Sequence, residues 1–257
     1  IDIKDINKLP LNIKKKISKD LKNITAKRHF LRKKNHIIMG VLNMTPDSFS
    51  DGGKYNSSKT AFRRIKEMEK AGADIIDIGG ESTRPGSKIV SQKDELRRVR
   101  EVIEKFKKRF PKTFFSIDTR KSLVMNFSLK NGVDIINDVS CFKFDPNSFK
   151  TIKNKNIWKV IHHMQGNPQT MQTNPKYHHV LIDIYDFFEN EIKKFKKHKY
   201  HKKLILDPGI GFGKNLKHNL MILNKISLFH SLGFPILIGT SRKRFINQIS
   251  GKYDTKE

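Results

Sequence analysis

The chain has 257 residues, a formal net charge of +28 and one cysteine. A single cysteine excludes an internal disulfide, and no apolar run reaches the roughly 18 residues of a membrane helix. The N terminus is basic but lacks an apolar stretch followed by a small-residue cleavage site, so it does not resemble a secretory signal. We therefore expect a cytoplasmic protein that does not enter a membrane.

The positive charge could indicate a nucleic-acid partner. However, the 53 lysines and arginines are spread along the whole chain, and no aromatic-plus-basic motif of a nucleic-acid-binding module stands out. Solvated helix faces explain such a distribution better. We expect no specific nucleic acid as a partner, although the positive field would favour an anionic substrate.

Residues 1–35 are rich in lysine and contain no clear strand. Leu11, Ile13, Ile17 and Leu21 could share one side of a short helix, which predicts an extension or a cap. Residues 36–257 are expected to form one domain.

From residue 36 onward, short apolar runs alternate with segments of helical period. Continuous apolar runs are typical of parallel strands that are buried on both faces. The predicted strands are residues 37–42, 74–78, 113–117, 133–136, 157–161, 203–206 and 235–238.

Two of the intervening segments carry a single apolar stripe at the spacing of an α-helix. The stripes are Leu96, Val99, Ile103, Phe106 and Phe110, and Leu181, Ile184, Phe188, Ile192 and Phe195. Strands alternating with such helices predict an α/β fold with a parallel sheet.

Polar residues follow the predicted strands where each one ends, for example Asn43, Asp118, Asn137 and Asp207. A barrel gathers all its strand ends around one mouth, whereas an open sheet gathers only those near its switch point. We therefore predict a (β/α)8 TIM barrel. Because only seven units can be counted, the eighth βα unit is expected to be missing from this chain, which would be a fragment or a product that lost its last unit.

Seven motifs occur in order at plausible intervals between about residues 37 and 250. They are VLNMTPDSFSDGG (41–53), DIGGESTRPG (77–86), SIDT (116–119), IIND (135–138), HMQGNP (163–168), LDPGIGFGK (206–214) and GTSRK (239–243). This set resembles the signatures of the dihydropteroate synthases. The resemblance implies a pterin-binding transferase of folate biosynthesis, which condenses 6-hydroxymethyl-7,8-dihydropterin diphosphate with p-aminobenzoate to give 7,8-dihydropteroate and diphosphate. It also implies a homodimer and a target of sulfonamides.

A pterin ring presents a flat amide and a 2-amino group, to which a carboxylate can accept two parallel hydrogen bonds. Asp207, at a strand end beside a glycine-rich turn, is placed for this role, and the resemblance assigns it. The resemblance also implies that Asp118 and Asn137 complete the polar edge and that Lys243 donates to the ring's acceptors, which makes Asp118, Asp207 and Lys243 the expected catalytic residues. The alternative is that strand-end Asp and Asn side chains cap the following helices.

The diphosphate needs a cation, and Mg2+ commonly takes one protein oxygen with phosphate and water oxygens. The resemblance implies that Asn43 supplies this oxygen, although Asn is also common in turns. Residues 48–53 and 81–87 are polar and glycine-rich, which suits loops that close over a substrate. The resemblance places Thr83, Arg84 and Pro85 of the second loop against p-aminobenzoate and diphosphate.

Ser241 is predicted to begin a helix whose N terminus could receive the carboxylate of p-aminobenzoate, or which it simply caps. The resemblance further implies that Phe212 and Gly239 line the substrate site. Two departures stand out, because His162 replaces an apolar residue of the pterin pocket, often Met, and the Arg-x-His pair of the eighth strand is absent.

Two other functions compete with this interpretation. A pterin-binding methyltransferase would share the carboxylates but would not need the loops that contain Asp51-Gly52-Gly53 and Thr83-Arg84-Pro85-Gly86. A non-enzymatic polyanion-binding protein would need only the positive charge.

Overall fold

The computed structural model describes Ile6 and residues 8–26, 36–45, 54–83 and 86–251. Helices and strands alternate along these ranges. In chain order they are α1 (Leu11–Thr25), β1 (Met39–Asn43), α2 (Lys54–Lys70), β2 (Ile75–Gly79), α3 (Gln92–Arg109), β3 (Phe114–Asp118), α4 (Ser122–Lys130), β4 (Ile135–Asp138), α5 (Ser148–Ile152), β5 (Trp158–His162), α6 (Val180–Phe195), β6 (Leu204–Asp207), α7 (Leu216–Asn224), a 3-10 helix (Ile226–Leu232) and α8 (Arg244–Ser250).

The strands form one parallel sheet of six in the order β1 to β6. Its register brings the carboxyl ends of the strands level with one another. The aligned pairs at these ends are Asn43 with Gly79, Gly79 with Asp118, Asp118 with Asn137, and His162 with Asp207. The polar residues that follow the apolar runs therefore lie along one edge, as predicted.

Apolar side chains bury both faces of the sheet. The outer face packs against the helices, and the two predicted helical stripes are buried on α3 and α6 and at the cap residue Phe110. The inner face holds a separate cluster of Ile75, Ile135, Val160 and Ile205. Burying one such side chain stabilises the fold by about 1.5–3 kcal/mol.

The sheet curls so that its distant strands approach each other. Asp77 on β2 and Asp207 on β6 would lie roughly 19 Å apart across four strand spacings of a flat sheet. Burial is the main cause that raises the pKa of Asp77, but the negative charge of Asp207 contributes as well. Asn137 on β4 also donates to Asp77 on β2 (3.0 Å) across the strand between them, so the sheet has the curvature of a barrel.

The seventh predicted strand, residues 235–238, forms only one parallel bridge, from Ile236 to Leu206. Leu206 donates to the carbonyl of Pro235 (2.9 Å), and Leu237 donates to the carbonyl of Leu206 (2.8 Å). Pro235 has no N–H to donate, and within the described ranges no strand flanks this segment on its other side. The barrel is therefore open between this segment and β1, where Val41 is 60% exposed.

Helix α1 lies against the 3-10 helix, and Asn23 Nδ2 donates to the carbonyl of Ser231 (2.6 Å). None of its residues is fully buried. The predicted extension is thus a helix on the outside of the barrel, while a domain boundary at residue 35 stays a prediction. Across the described ranges, every helix is too short or too polar to cross a bilayer.

Candidate active site

Asp207 lies at the end of β6 with its carboxylate held at both oxygens. Oδ1 accepts from the backbone N–H of Gly209 (2.7 Å), and Oδ2 lies 3.2 Å from Nδ1 of His162. Burial acts to raise the pKa of Asp207, but His162 and the Gly209 N–H outweigh it, so the pKa falls below its usual value. Asp207 therefore keeps its negative charge in a buried position.

Asn137, at the end of β4, reaches across the barrel to β2. Its Nδ2 donates to Oδ2 of Asp77 (3.0 Å). This bond fixes the amide so that Oδ1 is left as an acceptor, and that buried oxygen has no hydrogen-bond partner among the described residues. Sequence reasoning missed Asp77, although an aspartate inside the apolar run 75–78 was a signal of its role.

Asp118 at the end of β3 is a second carboxylate on this inner face. Burial raises its pKa well above the usual range, and the charges of Asp77, Glu95 and Asp138 raise it further. Its Oδ1 is buried and, like Oδ1 of Asn137, without a partner in the part of the chain that the structure describes. Unsatisfied buried groups of this kind cost about 1–3 kcal/mol each. The site is suited to a ligand that brings N–H donors.

Lys243 and Phe212 border the same space. The Lys243 ammonium lies 4.2 Å from the centroid of the Phe212 ring, and the His162 ring meets that ring edge-on at 4.7 Å. The positive charge of Lys243 also helps to lower the pKa of Asp207. Gly211 makes the approach possible, because a Cβ there would lie 3.0 Å from Cδ of Lys243.

Lys214 and His163 are buried next to Phe212 and contact each other. Lys214 Nζ donates to the carbonyl of Phe212 (2.9 Å) and lies 3.0 Å from Nδ1 of His163. Burial lowers the pKa of Lys214 to about 7, and burial together with the nearby Lys214 charge lowers that of His163 to about 2. A neutral His163 therefore accepts from Lys214.

Asn43 is exposed at the end of β1, and Gly79 of β2 lies between it and Asp118. Its Oδ1 lies 3.8 Å, and Oδ2 of Asp118 3.6 Å, from the position that a Cβ on Gly79 would occupy. Gly79 thus keeps a space open between two oxygen atoms at the mouth. Within the described ranges no three His, Cys, Asp or Glu side chains group as metal ligands. The donors present fit Mg2+, which takes few protein oxygens beside phosphates and water.

The remaining predicted residues have mixed outcomes. Thr83 is half-buried and Gly239 exposed, whereas Arg84, Pro85 and the first predicted loop fall outside the described residues. The predicted helix start at Ser241 is wrong. Ser241 is exposed in a turn, Arg242 has a φ of 55°, and α8 begins only at Arg244. Because Arg242 has a left-handed backbone conformation, the right-handed helix begins only after this residue.

A buried ionic network, formed by Glu81, Glu95, Arg120 and Lys121, was not predicted. Arg120 Nη2 lies 2.7 Å from Oε2 of Glu81, and Lys121 Nζ bridges Oε1 of Glu81 (3.1 Å) and Glu95. Glu81 also accepts from the N–H of Val90 (2.9 Å). We predicted a mobile loop over residues 81–87, but its first residue is fixed in this network.

These features define a barrel protein whose strand ends are suited to a donor-rich ligand. The family model described as pterin binding enzyme matches residues 39–257. The dihydropteroate synthase of Escherichia coli K12 is 45% identical over 213 residues, which cover 82% of this chain and 75% of that one. The chain belongs to the pterin-binding enzyme family, among the dihydropteroate synthases.

Two solved structures agree in fold. The Yersinia pestis dihydropteroate synthase, in a sulfonamide drug complex, superposes with a TM-score of 0.78 at 41% identity, covering 84% of this chain and 78% of its own. The Xanthomonas albilineans dihydropteroate synthase with 4-aminobenzoic acid has a TM-score of 0.76 at 34% identity. The match covers 86% of this chain and 78% of that one. The prediction of an α/β barrel is confirmed.

Proposed function

We propose that this chain condenses 6-hydroxymethyl-7,8-dihydropterin diphosphate with p-aminobenzoate, giving 7,8-dihydropteroate and diphosphate. The observation that carries the proposal is the inner face at the strand ends, where buried acceptors of Asp118, Asn137 and His162 lack partners among the described residues beside the charged Asp207. The amide and amino groups of a pterin supply the missing donors. A dihydropteroate synthase with 4-aminobenzoic acid in its structure supports the second substrate.

Four polar side chains would hold the ring. Asp207 faces the guanidine-like edge with Oδ2, which forms a charge-assisted pair with ring N–H groups. Oδ1 of Asn137 and the carboxyl of Asp118 accept from the rest of the polar edge. Lys243 donates to the ring's acceptor atoms, and Phe212 lines the pocket next to it. Gly239 is proposed to border the same pocket.

The reaction breaks the bond between the pterin methylene and the diphosphate oxygen, which leaves with the electron pair. A bond forms between the methylene and the arylamine nitrogen, which then gives one proton to water. An arylamine is neutral at pH 7, so no nucleophile–base pair is needed. The Asp207 carboxylate, which keeps its charge, favours the positive charge that grows on the methylene, because it is fixed before the reaction begins.

Asn43 would hold Mg2+ through Oδ1 at the mouth, on the side of Asp118. When bound, the cation neutralises charge on the departing diphosphate. We further propose that Thr83, Arg84 and Pro85 contact p-aminobenzoate and diphosphate, and that Ser241, exposed in its turn, meets the carboxylate of p-aminobenzoate. The protein is also proposed to be cytoplasmic and to form a homodimer. Light scattering after size-exclusion chromatography would measure the mass of the dimer.

A coupled assay of diphosphate release tests the function. Wild-type chain with pterin diphosphate, p-aminobenzoate and Mg2+ should release diphosphate, and omitting either p-aminobenzoate or Mg2+ should abolish most of it. Asp118→Asn should lower the rate while the protein stays folded. Binding of labelled methyltetrahydrofolate without diphosphate release would instead favour a pterin-binding methyltransferase.

A further inference from the structure

His162 stands at the end of β5, directly opposite Asp207 on β6. Its side chain is only 3% exposed. One ring nitrogen, Nδ1, lies 3.2 Å from Oδ2 of Asp207. The other, Nε2, is buried and has no hydrogen-bond partner among the described residues. A buried imidazole with one nitrogen paired and one unpaired points to a ligand for the second nitrogen.

The pairing of Nδ1 decides what Nε2 can do. A carboxylate only accepts hydrogen bonds, so Nδ1 must carry a proton to bond Asp207. In a neutral imidazole Nε2 is then an acceptor. Asp207 thus sets the tautomer of His162, and His162 in turn fixes the orientation of the carboxylate.

The His162 ring lies against Phe212, which borders the pocket together with Lys243. Phe212 holds the ring edge-on at 4.7 Å, so the imidazole cannot turn freely. Next to Nε2 the chain has Gly209, whose φ is +69° and where a Cβ would lie 3.1 Å from Nε2 and 2.0 Å from the carbonyl oxygen of His163. A larger residue would both clash with the backbone and cover the nitrogen. Glycine therefore lets the backbone pass close to Nε2, next to Asp207.

We propose that His162 contacts the pterin and determines how tightly this chain binds it. Its Nδ1–H positions the Asp207 carboxylate, and its Nε2 accepts a hydrogen bond from the N–H edge that Asp207 also binds. The inference rests on the proposed function, because the ligand is the pterin of that reaction. It adds to that reaction a specificity-determining residue.

Three substitutions separate the two ring nitrogens. Asn places its amide near the position of Nδ1 and lacks Nε2, Gln places its amide near Nε2 and lacks Nδ1, and Met removes both polar groups while keeping similar bulk. Loss of one hydrogen bond to a charged or buried group should weaken binding by about tenfold. We expect His162→Asn and His162→Gln each to lose about that much affinity, and His162→Met to lose more than either.

Calorimetry with 6-hydroxymethyl-7,8-dihydropterin measures these affinities. The KM for p-aminobenzoate and the thermal unfolding temperature of each variant serve as controls that a merely structural role would shift as well. In addition, the Nε2 signal of 15N-labelled histidine, assigned with His162→Asn, should move when the pterin is added to wild-type chain.

Wild-type pterin affinity in His162→Met, or an unchanged Nε2 signal in the complex, would overturn the inference and leave the proposed function standing. A wild-type chain that binds no pterin would overturn both. Weakened pterin binding in all three variants, with an unchanged KM for p-aminobenzoate and unchanged thermal unfolding, would support the role of His162.

Discussion

Two buried charged regions lie side by side at the carboxyl ends of β2 to β4, and their hydrogen bonding differs. In the ionic network, Glu81 bonds through both oxygens to Val90, Lys121 and Arg120. In the pocket, Asp118 and Asn137 each have one buried acceptor without a partner in the described part of the chain. Both regions lie in low dielectric. In the network each charged side chain lies against one of opposite charge, although Oε1 of Glu95 lacks a hydrogen-bond partner among the described residues.

This difference indicates that the network stabilises the fold and that the pocket binds a ligand. A buried ion pair that loses one partner destabilises the protein by about 3–5 kcal/mol, because the other charge remains buried. A pocket group that already lacks a partner is paired only when a ligand arrives. Substitutions in the network should therefore change stability, and substitutions in the pocket should change binding.

The largest effect is expected from Lys121→Met in the ionic network. Lys121 is buried between Glu81 and Glu95, so its removal should lower the free energy of unfolding by about 3–5 kcal/mol. Urea denaturation measures this loss. Lys130→Met, an exposed change at the far end of α4, which Lys121 precedes, should have little effect. Equal stability of both variants would contradict the structural role of the network.

The next effect is expected from Asp207→Asn in the pocket. Loss of the charged acceptor should weaken pterin binding at least about tenfold, since a hydrogen bond to a charged group contributes about 1.5–3 kcal/mol. Calorimetry with 6-hydroxymethyl-7,8-dihydropterin provides the affinity. The control substitution Asp94→Asn, at an exposed position, should leave the pterin affinity unchanged. If Asp207→Asn bound the pterin normally, Asp207 would not belong to the site.

A smaller and more selective effect is expected from Asn43→Ala. In Mg2+ the variant should bind the pterin diphosphate about tenfold more weakly, while the pterin without diphosphate should bind nearly as before, because only the former brings phosphate oxygens to the cation. Without Mg2+ most of the difference should vanish. Asn126→Ala on the exposed face of α4 is the control. Equal loss for both ligands would make Asn43 a structural turn residue.

The last effect concerns the dependence of stability on pH. The pKa of Lys214 is about 7 in the folded chain, against an ordinary value of about 10.4. Between these values the unfolded chain binds more protons, so the free energy of unfolding should rise with pH by at most about 1.4 kcal/mol per unit. Urea titrations from pH 7 to pH 9 should show that Lys214→Met removes part of this rise, whereas exposed Lys217→Met retains it.

Much of the fold could be predicted from local patterns. The apolar runs that became β1 to β6, and the stripes of α3 and α6, follow from the periods of strands and helices. The seventh apolar run was predicted to be a strand but forms only a single bridge. A strand needs hydrogen-bonded neighbours, and within the described ranges the backbone of residues 235–238 bonds only to β6. The predicted helix start at Ser241 was wrong because Arg242 has a left-handed backbone conformation, and α8 begins only after it.

The candidate site was predictable only in part. The position of Asp118, Asn137 and Asp207 at strand ends follows from the chain order alone. The bond between Asn137 and Asp77 could not be predicted, because it joins strands that are not neighbours and depends on the curl of the sheet. The pairing of His162 with Asp207 depends likewise on the register between β5 and β6.

The most direct test of the central claim is a crystal structure of the chain with 6-hydroxymethyl-7,8-dihydropterin. The pterin should lie on the inner face of the barrel, with ring N–H groups within hydrogen-bonding distance of Oδ2 of Asp207 and Oδ1 of Asn137. The acceptors of Asp118 and Asn137 that lack partners should then be paired. A pterin bound elsewhere, for example in the cleft between Cys141 and Lys197, with these acceptors still unpaired, would contradict the account.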